Sequence, residues 1–111
     1  MPVPVRDRVS ALVQEAGNQA AVARLLGVDR SRITRWLSAN QQPGPDNRRT
    51  IDALEFVLAR LRSRYQAQTA FKWLEGVNPH LRGARPIDLL RSGRVSEVIA
   101  ALEADDSGSF A

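Results

Sequence analysis

The sequence predicts an all-α protein with an N-terminal helical bundle, a long connecting helix and a small C-terminal helical lobe. Apolar residues recur at the three- and four-residue spacing of helix faces along most of the chain, whereas strand-like alternation is nearly absent. Glycines and prolines separate these stretches, as is typical of helix ends. With 111 residues, of which 43% are hydrophobic and 25% charged, the chain is long enough to bury a core.

Three short helices are predicted in the first third of the chain. The apolar positions of the first follow one helix face and end before Gly17, a helix-stopping residue: Val5, Val9, Leu12, Val13 and Ala16. Asn18 is a good N-cap for a second helix over residues 19–26, which Gly27 ends. Asp29 is the predicted N-cap of a third helix that runs to about Leu37.

Four further helices are predicted after the clearest loop of the chain, residues 40–47. A stripe at heptad-like spacing marks a long helix and consists of Ile51, Leu54, Leu58, Leu61 and Tyr65. We expect this helix to break within residues 66–69 and the next to end at Glu75–Gly76. Pro86 fits the first turn of a short helix through Leu90. Gly93 precedes a last helix over about residues 94–104, and residues 105–111 form a polar tail that is expected to be loose.

The predicted domains are residues 1–65, with the three short helices and the connecting helix, and residues 66–111, with the second lobe and the tail. Their charges differ in sign. Residues 1–65 hold eleven Lys and Arg against six Asp and Glu, for a net +5, whereas residues 66–111 hold five against six, for −1. The basic excess therefore belongs to the first domain. Arginine outnumbers lysine, which reflects either a GC-rich genome or contact with phosphates and base edges.

Composition excludes several classes of protein. The chain has no cysteine, so it has no disulfide framework, zinc knuckle or thiol nucleophile. It has no apolar run near the roughly 18 residues of a membrane span, and its N-terminus lacks the layout of a signal peptide. His80 is the single histidine, and the nearest acid/base pair, Asp105–Asp106, lies in the predicted tail. We therefore expect no enzyme activity, no catalytic residue, no metal or cofactor, no small-molecule substrate and no membrane association.

Residues 19–37 carry the spacing of a helix-turn-helix. Such a motif needs a small residue where its helices cross, which is Ala23, and a residue that tolerates positive φ in the turn, which is Gly27. Val28 is placed to pin the turn to the core. Inward apolar residues are then needed in the second helix, and Ile33 and Trp36 supply them. The sequence thus predicts an N-terminal helix-turn-helix bundle, with Trp36 in its core.

The outward face of the second helix of this motif is suited to DNA. That helix enters the major groove in such motifs, where arginine binds guanine and hydroxyls bond phosphates or base edges. The alternative is a solvated helix face with no ligand. The predicted DNA-binding residues are Gln19, Arg30, Ser31, Arg32, Thr34 and Arg35.

The C-terminal half resembles a known family. Trp73-Leu74, the run from Asn78 through Pro79-His80-Leu81-Arg82 to Gly83, and the segment Pro86–Leu90 are similar to the toxin-binding domain of Xre/MbcA/ParS antitoxins. Val95, Val98, Leu102 and the ending Gly108-Ser109-Phe110-Ala111 also resemble it. In this family a helix-turn-helix commonly stands on the N-terminal side, as here, so the resemblance covers nearly the whole chain.

The resemblance implies a cytoplasmic antitoxin of a type II toxin–antitoxin system. Such proteins neutralise RES-domain toxins, and these toxins degrade NAD. The antitoxins also repress their own operon by binding its operator DNA, and they form homodimers or larger toxin–antitoxin complexes. The alternative is a stand-alone Xre-like repressor whose C-terminal lobe only dimerises.

A tail that blocks the toxin's active site is the expected inhibitory device. Acidic groups would meet cations that bind the NAD pyrophosphate, and Phe110 would cover apolar surface, although an acidic terminus without a role is the alternative. The candidate toxin-binding residues are Arg82, Glu103, Asp105, Asp106, Ser107, Gly108, Ser109, Phe110 and Ala111.

Overall fold

The structure is a computed structural model, and it describes residues 2–106. Within this range the chain forms seven α-helices and one short 3-10 helix, Pro79–Leu81, with no strand. The α-helices are α1 (Val5–Ala16), α2 (Gln19–Leu26), α3 (Arg30–Leu37), α4 (Pro45–Arg62), α5 (Ala67–Glu75), α6 (Pro86–Arg91) and α7 (Val95–Asp106). The prediction of an all-α protein is confirmed.

The chain divides into two compact units, and the division falls between Arg48 and Arg49, one turn into α4. The sequence-based domains, residues 1–65 and 66–111, follow the expected break after the long helix and stay a prediction. No helix in the described part of the chain is both long and apolar enough to cross a membrane.

The first unit is built from α1, α2 and α3, and the residues predicted to end α1 and to cap α2 do so. Gly17 has φ 101°, and its N–H donates to the carbonyl of Val13, which ends α1. The Asn18 side chain then accepts a 2.8 Å hydrogen bond from the N–H of Ala21 and so caps α2. The core of this unit contains Val9, Leu12, Val22, Leu25, Leu26, Ile33 and Trp36, all less than 5% exposed.

Two local predictions in this part are corrected. Asp29 occupies the N-cap position of α3, but its side chain makes no capping hydrogen bond. The loop predicted to reach residue 47 ends at Gly44, because Pro45 opens α4. Proline is favoured in the first turn of a helix, where its missing N–H has no partner to lose, and Asp46 complements the positive end of the helix.

In the second unit α4 has a broader buried face than the predicted stripe. Ile51, Leu54, Leu58 and Leu61 are buried as expected, and Ala53 and Val57 join them. The helix ends earlier than predicted. The chain leaves it at Ser63, and α5 already begins at Ala67 with extended Gln66 at its N-cap position, so the break lies at residues 63–66.

A compact loop joins α5 to α6 and is organised by Asn78, a polar residue only 5% exposed. Its side chain accepts a 2.9 Å hydrogen bond from the N–H of His80. Its own N–H donates to the carbonyl of Ala84 at 3.0 Å, and its carbonyl accepts from Leu81 and Gly83. Asn78 therefore ties the two ends of the loop together.

The last helix is longer than predicted. α7 continues to Asp106, so Asp105 and Asp106 form its final turn rather than the start of a loose tail. Val98, Ala101 and Leu102 are buried along α7, while Val95 and Ile99 are half-buried. Leu74 of α5 and Ile87 and Leu90 of α6 are buried in the same unit.

Candidate functional site

The helix-turn-helix pattern is present in the geometry of α2 and α3. Ala23 is 5% exposed, and its carbonyl accepts a 3.0 Å hydrogen bond from the N–H of Val28, which closes the turn. Gly27 has φ 69° between the two helices. Ile33 and Trp36 are buried, so Trp36 is a core residue as predicted. These contacts hold α3 by its inner face.

The opposite face of α3 is open to solvent. Gln19 is half-buried at the start of α2, and the other five predicted DNA-binding residues are exposed: Arg30, Ser31, Arg32, Thr34 and Arg35. Arg35 Nε donates to Gln41 Oε1 at 3.2 Å. The structure thus leaves the five predicted side chains of α3 open to solvent.

Gln19 and Thr34 are linked across the motif. Thr34 Oγ1 donates a 2.9 Å hydrogen bond to Gln19 Oε1. The amide nitrogen of Gln19 carries two N–H donors, which are suited to a further acceptor. Phosphate oxygens of DNA accept hydrogen bonds from such side-chain donors, and these bonds position a protein on the duplex.

A second group of polar side chains surrounds the end of α7. Trp73 Nε1 donates a 2.6 Å hydrogen bond to Asp105 Oδ2, and His80 Nε2 lies 3.2 Å from Asp105 Oδ1. The side chains of His80 and Asp105 are 20% and 24% exposed. Asp105 therefore joins α7 to α5 and to the 3-10 helix.

Asp106 is held on the other side of the same turn. It pairs with Arg64, and Arg60 Nη2 lies 3.8 Å from its Oδ2. The hydrogen bond and negative charge of Asp106 raise the pKa of the Arg64 guanidinium above its ordinary value. Sequence reasoning assigned both carboxylates to a toxin and missed Trp73 and Arg64 as partners, because these lie more than 30 residues away along the chain.

The remaining candidate toxin-binding residues fall into two groups. Arg82 and Glu103 are exposed. Arg82 has φ 56°, in the left-handed region that few residues other than glycine and asparagine adopt. Ser107, Gly108, Ser109, Phe110 and Ala111 lie outside the described residues.

Arg82 lies at an open cavity of about 600 Å³ between the 3-10 loop and α7. The cavity has an apolar lining of leucine and alanine that includes Leu81, Leu89 and Ala101. Arg94 also lines it and forms a 2.7 Å ion pair with Glu97. Within the part of the chain that the structure describes, His, Asp and Glu side chains form no group able to hold a metal ion.

An arginine–aspartate cluster at the start of α6 was not singled out from the sequence. Arg85 Nε and Nη2 each donate a 2.9 Å hydrogen bond to the Asp88 carboxylate, and Arg91 Nη2 contacts it from the following turn at 2.5 Å. The Arg85 hydrogen bonds lower the pKa of Asp88 below its ordinary value, although partial burial opposes the shift. The three-residue spacing on either side of Asp88 is the signal from which this cluster was predictable.

Comparison with known proteins places the fold. No protein family matches the sequence, and no curated protein matches it significantly. Among solved structures, the chain shares its all-helical fold with a chain from a toxin–antitoxin complex. That structure is the crystal structure of the M. tuberculosis MbcT–MbcA toxin–antitoxin complex. It matches with a TM-score of 0.74 and 23% sequence identity, over 99% of this chain and 100% of the other. The predicted resemblance to the MbcA type of antitoxin is confirmed at the level of the fold.

Proposed function

We propose that this protein is the antitoxin of a type II toxin–antitoxin system. The observation that carries the proposal is the likeness of fold, over 99% of the chain, to a chain of the MbcT–MbcA complex. The partner is a RES-domain toxin that degrades NAD, and the protein acts in the cytoplasm by binding rather than by catalysis. The helical lobe with the Trp73, Asn78–Gly83 and Pro86–Leu90 motifs is the toxin-binding part.

The end of α7 supports an inhibitory role for the residues that follow it. Asp105 and Asp106 tie the last helical turn to Trp73, His80 and Arg64, so the chain leaves the lobe from a fixed point. A fixed origin reduces the conformational entropy that a following segment loses when it binds. Each carboxylate also keeps lone pairs with which a cation of the toxin can pair. Residues 107–111 then enter the toxin's active site.

The inhibition is tested with a purified RES-domain toxin and its NAD consumption. We expect the full chain to stop NAD loss, and a chain lacking residues 107–111 to bind the toxin in a pull-down without stopping it. A second variant, Phe110→Ser, keeps the length of the tail and changes one side chain. It should inhibit the toxin more weakly than the full chain does. Full inhibition by the truncated chain would remove the tail from the proposal, and absence of toxin binding by the full chain would overturn the antitoxin role.

Autorepression through the helix-turn-helix is the second part of the proposal. It is supported by the exposed face of α3, which presents three arginines and two hydroxyls while its inner face is buried. Repressors with this motif bind as dimers to half-sites about one helical turn of DNA apart. The protein therefore acts on its operator as a homodimer or within a larger toxin–antitoxin complex.

The stand-alone repressor is the competing function, and the same α3 face supports it. Co-expression separates the two. A chain that restores growth to cells producing the RES-domain toxin is an antitoxin. A chain that represses its promoter and leaves the cells poisoned is a repressor only.

A further inference from the structure

An open cavity of about 470 Å³ lies in the first unit, between the residues before α1 and the loop that follows α3. All of its lining residues fall within residues 2–48, and it shares none of them with the cavity beside α7. Volumes of this size are typical of small-molecule sites, in which a largely apolar lining carries a few placed polar groups. We call it the N-terminal cavity.

The N-terminal cavity has an apolar part, to which Val3, Val5 and Trp36 contribute. Val3 is 60% exposed, so a ligand that covered it would remove apolar surface from water. Trp36 is 2% exposed, so it lines the cavity with a small part of a side chain that the core holds in place. The apolar body of a ligand would therefore be stabilised here by burial.

The charged residues that line the N-terminal cavity carry one sign. Arg6 and Arg48 are both exposed, and none of the described lining residues is acidic. Arg6 Nε lies 3.6 Å from Asp7 outside the lining, but both side chains are more than half exposed, so water weakens this pair. Gln41 and Gln42 add amide N–H donors. Arginine binds a carboxylate through two parallel hydrogen bonds, so this lining complements a carboxylate.

The walls of the N-terminal cavity are ordered without a ligand. Pro4 and Pro43 line it, and the proline ring fixes the backbone φ of each. The loop after α3 is tied back to that helix, because the carbonyl of Arg35 accepts from the N–H of Asn40 at 3.1 Å and of Gln41 at 3.4 Å. Binding to ordered walls loses little conformational entropy.

We propose that the N-terminal cavity binds a small carboxylate with an aromatic or aliphatic body. The carboxylate pairs with Arg6 and Arg48 and accepts a hydrogen bond from the amide of Gln41. The body covers Val3 and Val5. This site goes beyond the proposed function, because the ligand needs neither a toxin nor an operator in order to bind.

Gln41 connects the N-terminal cavity to the outward face of α3. Its Oε1 accepts the 3.2 Å hydrogen bond from Arg35 Nε, while its amide N–H groups are the donors offered to the ligand. A bound carboxylate therefore restrains Gln41 and, through it, Arg35. An arginine that is restrained before it meets DNA loses less entropy in that contact, so the ligand strengthens operator binding. This consequence rests on the proposed autorepression.

The first test is an NMR titration of the full chain with phenylacetate and with octanoate. We expect saturable shifts of the amide signals of Val3, Ala39 and Gln41, which line the cavity. Phenylacetamide keeps the shape of phenylacetate without its charge, and acetate keeps the charge without the ring, so each should bind about tenfold more weakly. If neither carboxylate shifts these signals, or if phenylacetamide binds as well as phenylacetate, the proposal is overturned.

The second test assigns the site with variants. Arg48→Gln removes one cation and should weaken phenylacetate binding about tenfold, and Val3→Ser should weaken it through lost apolar contact. Arg24→Gln is the matched control, because Arg24 is an exposed arginine of α2 that does not line the cavity. Circular dichroism checks that each variant keeps its helices. Equal losses in Arg24→Gln and Arg48→Gln would show general attraction of anions to a basic unit and would remove the site.

Electrophoretic mobility shifts with operator DNA test the connection through Gln41. Saturating phenylacetate should strengthen operator binding by the wild type about fivefold or more and should not change it in Gln41→Ala. Weaker operator binding with phenylacetate would show that the ligand and DNA compete, and it would overturn the connection. If the chain binds no operator while phenylacetate still binds the cavity, only the proposed autorepression fails. If a toxin shifts the signals of the lining residues and the carboxylates do not, a protein segment is the occupant and the ligand proposal fails.

Discussion

The indole of Trp73 and the carboxylate of Asp105 are joined by a 2.6 Å hydrogen bond in which Trp73 Nε1 donates to Asp105 Oδ2. Asp105 lies in the last turn of α7. The carbonyl groups of a last helical turn have no amide partner within the helix. The bond therefore fastens a helix end that would otherwise fray, and it does so from another helix, α5.

Replacing Asp105 tests how much this hydrogen bond contributes to the free energy of unfolding. We expect Asp105→Ala to lower the free energy of unfolding by about 1–2 kcal/mol, because the half-buried indole N–H loses its acceptor. Urea denaturation gives this value. Glu103→Ala, on the exposed side of the same helix, is the matched control and should change stability by less than about 0.5 kcal/mol.

A double-mutant cycle with Trp73→Phe isolates the pair. The two single changes should not add, since either one already removes the bond. Strict additivity of Asp105→Ala and Trp73→Phe would show that the contact does not contribute to stability.

Acidification should remove the stabilisation that Asp88 provides. Arg85 holds the pKa of Asp88 below its value in the unfolded chain. The contribution of Asp88 is therefore complete above the unfolded-state pKa, near 4, and it is lost as the pH falls through the lower folded-state pKa. We expect Asp88→Asn to be less stable than wild type at neutral pH and to lose less stability below about pH 4. Unfolding measured from pH 2.5 to pH 7 checks this, and a carboxyl NMR titration should show a higher Asp88 pKa in Arg85→Gln.

Replacing Arg30 tests whether α3 recognises the bases of an operator. We expect Arg30→Ala to weaken operator binding about tenfold or more and to reduce discrimination against altered operators, as loss of a bidentate arginine–guanine contact does. Binding of the wild type should fall steeply with salt because phosphates contribute much of the affinity. Electrophoretic mobility shifts at several salt concentrations measure both effects. Arg82→Ala, in the other unit, should bind the operator normally, and equal loss in both variants would argue against reading by α3.

Gly17 should not accept a side chain, although there is room for one. Its φ of 101° lies in a region that residues with a Cβ rarely adopt, and a Cβ there would meet no atom within 4 Å. We expect Gly17→Ala to cost about 1–2 kcal/mol through backbone strain alone. Gly44 is equally open but has no positive φ, so Gly44→Ala should be close to neutral. Similar losses of melting temperature in the two variants would exclude strain as the cause.

The sequence was most informative where structure is determined locally. Gly17, Asn18 and Gly27 predicted the ends of α1 and α2 to the residue, because a positive φ or a capping side chain acts on its immediate neighbours. The outward face of α3 followed from helical periodicity in the same way.

Contacts between distant segments were beyond that reasoning. Asp105 and Asp106 read as loose acidic residues, because nothing near them in the chain indicates Trp73 or Arg64 as partners. The sequence also did not predict that Phe56, in the middle of α4, is 51% exposed. Its exposure depends on how wide a face of α4 is buried. These features depend on packing, which a local pattern does not specify.

The hydrogen bonds of Asn78 fix the number of residues in its loop. Its backbone and side chain bond to His80, Leu81, Gly83 and Ala84, so an inserted or deleted residue within this segment would misalign at least one of these bonds. We expect homologous chains to show no insertions or deletions between positions 78 and 84, while outward side chains such as Arg82 differ from one chain to another. The spacing of this segment can therefore serve as a fixed reference when distant sequences are aligned, even where overall identity is as low as the 23% found here.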